Sequence, residues 1–597
     1  MRAERRGPSG YEYSRSRNPR RRRSGFPKAL ILLIVVVVIA AVGGILAYRH
    51  FGYTKERMDL NEYLGIEEGG MAVFVDNVQI TDLEAPPAVR SGGNVYIDLD
   101  FADQYLPNRF YYNSDGTLRY MYPEEIIRIA EGETGWTVGG ERTELYIPCF
   151  IVQDGRVYVS AEMMQTFDDI DVTDYAEPDR VFIEILDGDE IRTATARRGT
   201  QIRYRGGPKS PILADVPSGT EVRVLSTVDD WVQVSWGGVV GYVPAKHLGE
   251  ITAQVPSVVS RVPEFPGVQL GHDVLLMFQQ VYTEGNNANL EMIAESAPGM
   301  NVIAPTWYSL TDASGGFSSF SDPEYVRRAH ALGIDVWGVV DDINGDISYE
   351  DLAAVLGNAS VRESLVRSLV TEALNTGLDG LNLDIEHAVH AGVEREFTAF
   401  MRELSVECRK NGLVLSVDNY IVRGGQPHDL VEEDLICDYL VMMSYDEYWN
   451  DASGAGPTAS VDWFASGVYD TVMRGVRPEK IVNGIAAYTK VWSVTPAGAE
   501  DGTIGFRSAS MGEAVAELSA HQAAVAQDGV SGIMYGTYDA DGSTYQVWYD
   551  DASTIRAKLE AISQYDIAGY AVWSARWWVD WNDAEVWNVL RDSLDLG

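Results

Sequence analysis

Two acidic side chains one residue apart close the run Asp379-Gly-Leu-Asn382-Leu-Asp384-Ile-Glu386. Read as a strand, the run sends Leu381, Leu383 and Ile385 to one face and Asn382, Asp384 and Glu386 to the other, because side chains alternate with period two. Alternate positions lie ~7 Å apart at Cα, close enough for one carboxylate to raise its neighbour's pKa. A Glu that keeps its proton near neutrality is what general-acid chemistry needs. His387 and His390 stand at helical i, i+3 spacing, but no third ligand accompanies them. A zinc site is therefore not expected, nor any other metal or cofactor.

An apolar face and a polar face on one strand require helices on one side and a polar interior on the other. The last 330 residues supply such a frame. Apolar runs recur at Val274–Phe278, Asn301–Ala304, Ile334–Gly338, Leu378–Glu386, Leu413–Val417, Tyr439–Met443, Ile481–Ala487 and Gly569–Trp573. Most are separated by amphipathic segments such as Val361–Asn375 and Val393–Lys410. Eight strands alternating with helices predict a (β/α)8 TIM barrel over 266–597, with the longest gap, after strand 7, holding an insertion. Active sites of such barrels sit at the C-terminal mouth, where Asp384 and Glu386 would emerge.

The fourth run resembles the D-G-x-D-x-D-x-E strand of glycoside hydrolase family 18, the chitinase and N-acetylglucosaminidase family. Met443-Ser-Tyr445-Asp446 resembles its sixth-strand signature, and Trp573 stands where its eighth strand places a tryptophan beneath the sugar. Tyr445-Asp-Glu447, followed by Gly456-Pro457 and Trp463, is most like the branch found in bacterial spore and cell-wall hydrolases. The resemblance implies substrate-assisted, retaining hydrolysis, an exception to the two-carboxylate scheme. Glu386 would protonate the glycosidic oxygen, the substrate's 2-acetamido carbonyl would attack, and Asp384 would stabilise the oxazolinium ion. Tyr445 would bond the acetamido group. Asp446, with Asn419 or Tyr420, would hold sugar hydroxyls, and Trp307, Trp449 and Trp573 would stack on pyranose rings. One departure stands out: Asn382 replaces the motif's middle Asp. It keeps a hydrogen-bonding group but removes a charge, which predicts a more easily ionised Asp384.

Upstream, residues 192–250 show short near-alternating runs with glycine turns, in which Gly219, Trp231, Val234 and Gly241-Tyr-Val243 resemble a bacterial SH3-like domain. Such a small all-β barrel implies either a wall-ligand module or a positioning unit. Residues 60–190 read as an α+β repeat domain, Gly93-Asn-Val-Tyr-Ile97 being echoed by Gly155-Arg-Val-Tyr-Val159. The pattern resembles copper amine oxidase N-terminal-like units, but no His lies between 60 and 190, so copper lacks its usual ligand. Residues 49 to about 70 read as a spacer.

Charge sets the topology. The 597 residues carry 47 basic and 88 acidic side chains, a formal charge of −41. Such acidity excludes a nucleic-acid footprint. Residues 1–28 hold nine Arg and Lys28 against Glu4 and Glu12, a net +8. Between this tail and the acidic remainder, residues 29–48 are uncharged and apolar, long enough for a transmembrane anchor. Positive-inside bias places the tail in the cytoplasm and the rest outside. A cleaved signal peptide is the competing reading, since Ala41-Val42-Gly43 is small-residue-like. Cys149, Cys408 and Cys437 cannot form a disulfide framework.

The expectation is a membrane-anchored, extracytoplasmic glycosidase acting on β-linked N-acetylglucosaminyl bonds of peptidoglycan. A non-catalytic glycan-binding envelope protein and a chitinase are the alternatives.

Overall fold

The computed structural model describes residues 28–66, 70–421, 429–450, 454–498 and 502–596. The basic tail read at 1–28 lies outside the described residues except for its last position. The chain divides into two compact units, one formed by Met1–Ile80, Thr173–Phe182 and Gly188–Ser257, the other by Thr81–Val172, Ile183–Asp187 and Val258–Gly597.

The first unit includes the helix Lys28–Phe51, whose Leu30–Arg49 stretch is apolar and exposed along its length and long enough to cross a bilayer. A seven-stranded antiparallel sheet between Ile191 and Gln254 follows. Alternation along Trp231–Trp236 buries Val232 and Val234 against Val222, Val224 and Val243, making an SH3-like core. The segment read as a spacer is part of this unit. Ile212 donates its backbone N–H to the Glu56 carbonyl (2.9 Å), and Met58 donates to Ile212 (3.0 Å). Tyr63 adds a hydroxyl bond to the Val240 carbonyl (2.7 Å). The reason is an unpaired sheet edge, which residues 54–58 satisfy with their own backbone groups.

In the second unit the internal repeat is visible as two hairpins, Ala88–Ser91 with Asn94–Asp98, and Phe150–Gln153 with Arg156–Ser160. Their inner strands pair antiparallel, Ile97 opposite Val159. Each runs into a seven-residue helix whose N-cap side chain, Asp98 or Ser160, accepts the N–H three residues on.

The barrel consists, among the described residues, of eight parallel strands: β1 (Val274–Gln279), β2 (Val302–Pro305), β3 (Asp335–Asp341), β4 (Gly380–Asp384), β5 (Val414–Tyr420), β6 (Tyr439–Met443), β7 (Ile481–Ala486) and β8 (Gly569–Trp573). Each pairs with the next, and β8 returns to β1, so no edge is left open. Two cores result. Val274, Leu276, Val339, Val414 and Val441 fill the barrel itself. Leu381, Leu383 and Ile385 pack outward with residues of the helices α1 (Ala359–Thr376) and α2 (Glu394–Asn411). Between β7 and β8 in the chain lies a five-stranded antiparallel sheet, Tyr488–Tyr549.

Candidate active site

With Leu381 and Leu383 committed to the outer core, Asn382 and Asp384 point into the barrel, both buried. Glu386 follows the strand end, partly buried. The loop that carries it is held from β3: the Asp342 carboxylate accepts the N–H groups of Glu386 and His387, both at 3.0 Å. Its neighbour Asp341 lies in register with Asp384. Asp341 accepts from the Ser309 hydroxyl (2.9 Å), the Ile343 and Asn344 N–H groups (3.0 and 2.8 Å) and the Asn344 amide (3.1 Å).

These groups form a carboxylate cluster. Burial, then Asp342, Asp446 and Asp341, push the Glu386 carboxyl up to about 7. Burial also raises Asp384 well above the carboxylate range, with Asp418 the largest charge contribution. Asn382 adds no charge to this cluster, and burial together with Asp418, Glu386, Asp341 and Asp342 sets the direction of the Asp384 shift. The carboxyl missing at position 382 has a counterpart on β5, Asp418, which burial pushes up to about 8.

β6 supplies Tyr445, a half-buried phenol raised well above its ordinary value by burial, so it remains a hydrogen-bond donor. Gly484 on β7 makes room for its ring. A Cβ there would stand 3.0 Å from Tyr445 Cε1 and 2.6 Å from the Met442 carbonyl oxygen. Asp446 has a left-handed backbone (φ 55°), accepts the Tyr488 hydroxyl at 2.7 Å and pairs with Lys490 Nζ. Trp573 is half-buried at the end of β8, its ring 5.3 Å from that of Phe278. Trp449 and Tyr420 are exposed, at 64% and 50%.

Two expected ligand residues face elsewhere. Trp307 is fully buried in the outer core, donates its Nε1–H to Asn287 Oδ1 (3.0 Å) and packs edge-on against Tyr325, leaving no face for a sugar. Asn419 points away from the barrel interior and donates to Glu433 Oε2 (2.7 Å) on the helix α3 (Leu430–Ile436). Alternation on β5 makes Asp418, not Asn419, the inward residue. Sequence reasoning missed Asp341, Asp342, Asp418, Tyr488 and Lys490. The Asp341-Asp342 pair ending an apolar strand carries the same signal as β4. Tyr488 and Lys490 carry none, coming from the inserted sheet.

Residues 339–576 match the family model for glycosyl hydrolases family 18, and residues 198–249 that for the bacterial SH3 domain. The barrel is a family 18 glycosyl hydrolase domain. Over 324 residues the chain is 24% identical to di-N-acetylchitobiase of Mus musculus, spanning 48% of this chain and 84% of that protein. Over 273 residues it is 22% identical to the cortical fragment-lytic enzyme of Bacillus subtilis (strain 168), spanning 43% and 60%. The crystal structure of a chitinase from Chromobacterium violaceum ATCC 12472 shares 25% identity with a TM-score of 0.45, covering 53% of this chain and 98% of that one. Within the family 18 domain, Asn382, Asp384, Glu386 and Tyr445 converge at the C-terminal mouth. Tyr420 and Trp573 end β5 and β8, and Asp446 and Trp449 lie in the loop after β6.

Proposed function

We propose that the protein hydrolyses β-linked N-acetylglucosaminyl bonds of peptidoglycan outside the cell, with Leu30–Arg49 as its membrane anchor and the N-terminal tail in the cytoplasm. One observation carries the reading: Glu386, pushed up to about 7, stands at the mouth of a family 18 barrel with buried Asp384 directly behind it.

Glu386 gives its proton to the glycosidic oxygen as the C1–O bond breaks. The acetamido carbonyl oxygen of the same sugar bonds to C1 from the other face, giving an oxazolinium ion that Asp384 stabilises. Water then attacks C1, the ionised Glu386 takes its proton, and the ring opens with retention. Tyr445 donates to the acetamido oxygen. Asp446, steadied by Tyr488 and Lys490, meets sugar hydroxyls, and Trp573 and Trp449 offer ring faces. The likeness to a cortical fragment-lytic enzyme supports a wall glycan over chitin, as does an SH3 domain in the same chain.

Digestion of purified peptidoglycan by the detergent-solubilised chain tests this. N-acetylglucosamine reducing ends, identified by mass spectrometry, should accumulate and vanish in Glu386→Gln. Tight wall binding by both forms with no cleavage would establish the glycan-binding alternative, and cleavage of chitin oligomers alone would establish the chitinase.

A further inference from the structure

We propose that Asp418 is the proton partner of Asp384, occupying on β5 the role that a carboxylate at position 382 would otherwise fill. The inference rests on the glycosidase reading and names a further residue of its machinery. Three geometric facts carry it. Leu383 and Val417 are register partners, so the next residues, Asp384 and Asp418, sit side by side on neighbouring strands. Asn382 divides its amide N–H groups between Ser416 Oγ (3.0 Å) and Asp418 Oδ1 (2.7 Å), which turns the Asp418 carboxyl inward beneath Asp384. Both Asn382 Oδ1 and Asp384 Oδ1 are buried without a donor.

Asn382 can donate but cannot take up a proton at neutral pH. If Asp384, raised by burial, is to face the oxazolinium ion as a carboxylate, its proton needs a different carrier. The titratable groups facing the pair among the described residues are acidic or phenolic: Asp341 at the end of β3 and Asp342 after it, Glu386 after β4, and Tyr445 after β6. With no cation among these neighbours, two adjacent buried carboxylates hold one proton between them. The raised values of both groups agree with that occupancy. When the substrate's acetamido group becomes oxazolinium, the proton resides on Asp418. Asp384 then presents a carboxylate to the positively charged acetamido N–H. After water addition the proton is shared again, so the cycle neither gains nor loses one at this pair.

The test uses the full chain in detergent, with folding of every variant checked by thermal melts. Asp418→Asn should lower kcat on peptidoglycan ~100-fold while changing KM less than about threefold. The double variant Asn382→Asp with Asp418→Asn, which moves the carboxylate back across the strands, should recover at least ~10-fold of that loss. If Asp418 merely holds the Asn382 amide, its Asn replacement, which keeps an acceptor oxygen, should retain activity and the exchange should rescue nothing. That result overturns the proposal. A second readout needs no substrate. In a Glu386→Gln background, infrared detection of protonated carboxyl groups should show a group titrating near 8 or above. Adding Asp418→Asn should lower that midpoint by at least ~1 pH unit, because the neighbouring charge is gone. An unmoved midpoint rejects the pairing whatever the activity. A moved midpoint in a protein that cleaves no N-acetylated glycan keeps the pairing and rejects the proposed function.

Discussion

Glu403 and Asp384 are both buried carboxylates of the second unit, 5% and 6% exposed, but their surroundings are opposite. Glu403, on α2, accepts from Arg119 Nη1 at 3.0 Å and from Arg362 Nε and Nη2, both at 2.9 Å. Those arginines are themselves 1% exposed, and Arg362 also reaches the Leu356 carbonyl and Asn113 Oδ1, both at 2.6 Å. Among the described residues, the largest charge contributions at Asp384 come from carboxylates, Asp418 first and then Glu386, Asp341 and Asp342. The paired cluster joins the strand Thr117–Met121 to the barrel's helices; the unpaired one lies in the barrel mouth. Burial raises the energy of any ion. Where cations answer it, the charge persists and the product is rigidity. Where like charges surround it, a proton answers instead, and the product is an acid available near neutral pH.

The comparison is broken most directly by making the same substitution on both sides. Glu386→Gln should reduce kcat at least ~1,000-fold with folding intact. Glu403→Gln should leave Arg362 buried without its carboxylate partner, Arg119 keeping Asp115 and Glu363, and cost about 3–5 kcal/mol in denaturant melts. Its kcat per folded molecule should stay within about twofold. Next in size, Gly484→Ala places a methyl against Tyr445, so kcat should fall ~10–100-fold through displacement of the phenol. Stability should drop by about 1–3 kcal/mol from overpacking.

Proton linkage sharpens the contrast further. The Glu386 carboxyl titrates at about 7 in the folded protein against 4.5 when unperturbed. Across that window the folded state holds a proton that the unfolded chain has released, so this group makes stability fall as pH rises. Because the side chain is partly exposed, the loss should be about 1–3 kcal/mol. Glu386→Gln should therefore be more stable than the parent by that amount at pH 8, and the difference should disappear at pH 4. Activity of the parent should decline above pH 7 as the acid ionises. The smallest effect belongs to the rim. Trp449→Ala should raise KM about three- to tenfold through lost ring stacking and shift stability by less than ~0.5 kcal/mol.

Much of this site is legible in the chain. The alternation of Leu381, Leu383 and Ile385 with Asn382, Asp384 and Glu386 fixes which face is polar before any fold is known. The repeat at Gly93 and Gly155 likewise marks two equivalent hairpins. Legibility fails on β5. Leu415, Val417 and Asn419 face the helices while Ser416 and Asp418 face the barrel, and a one-residue error exchanges the two sets. Trp307 misleads for another reason: an aromatic near a strand end fills a core as readily as it stacks on a sugar, and residue type does not distinguish them.

By itself, then, the sequence determined the charge asymmetry about an apolar helix, the alternating strands and the acidic pair on β4, because periodicity and local composition are properties of neighbours along the chain. Only the tertiary structure decided that Asp418 stands beside Asp384, that Lys490 reaches Asp446 from an inserted sheet, and that Glu403 has arginines where Asp384 has none. Coulomb energy and desolvation depend on distance through space, and the fold brings together groups that the chain keeps tens to hundreds of residues apart.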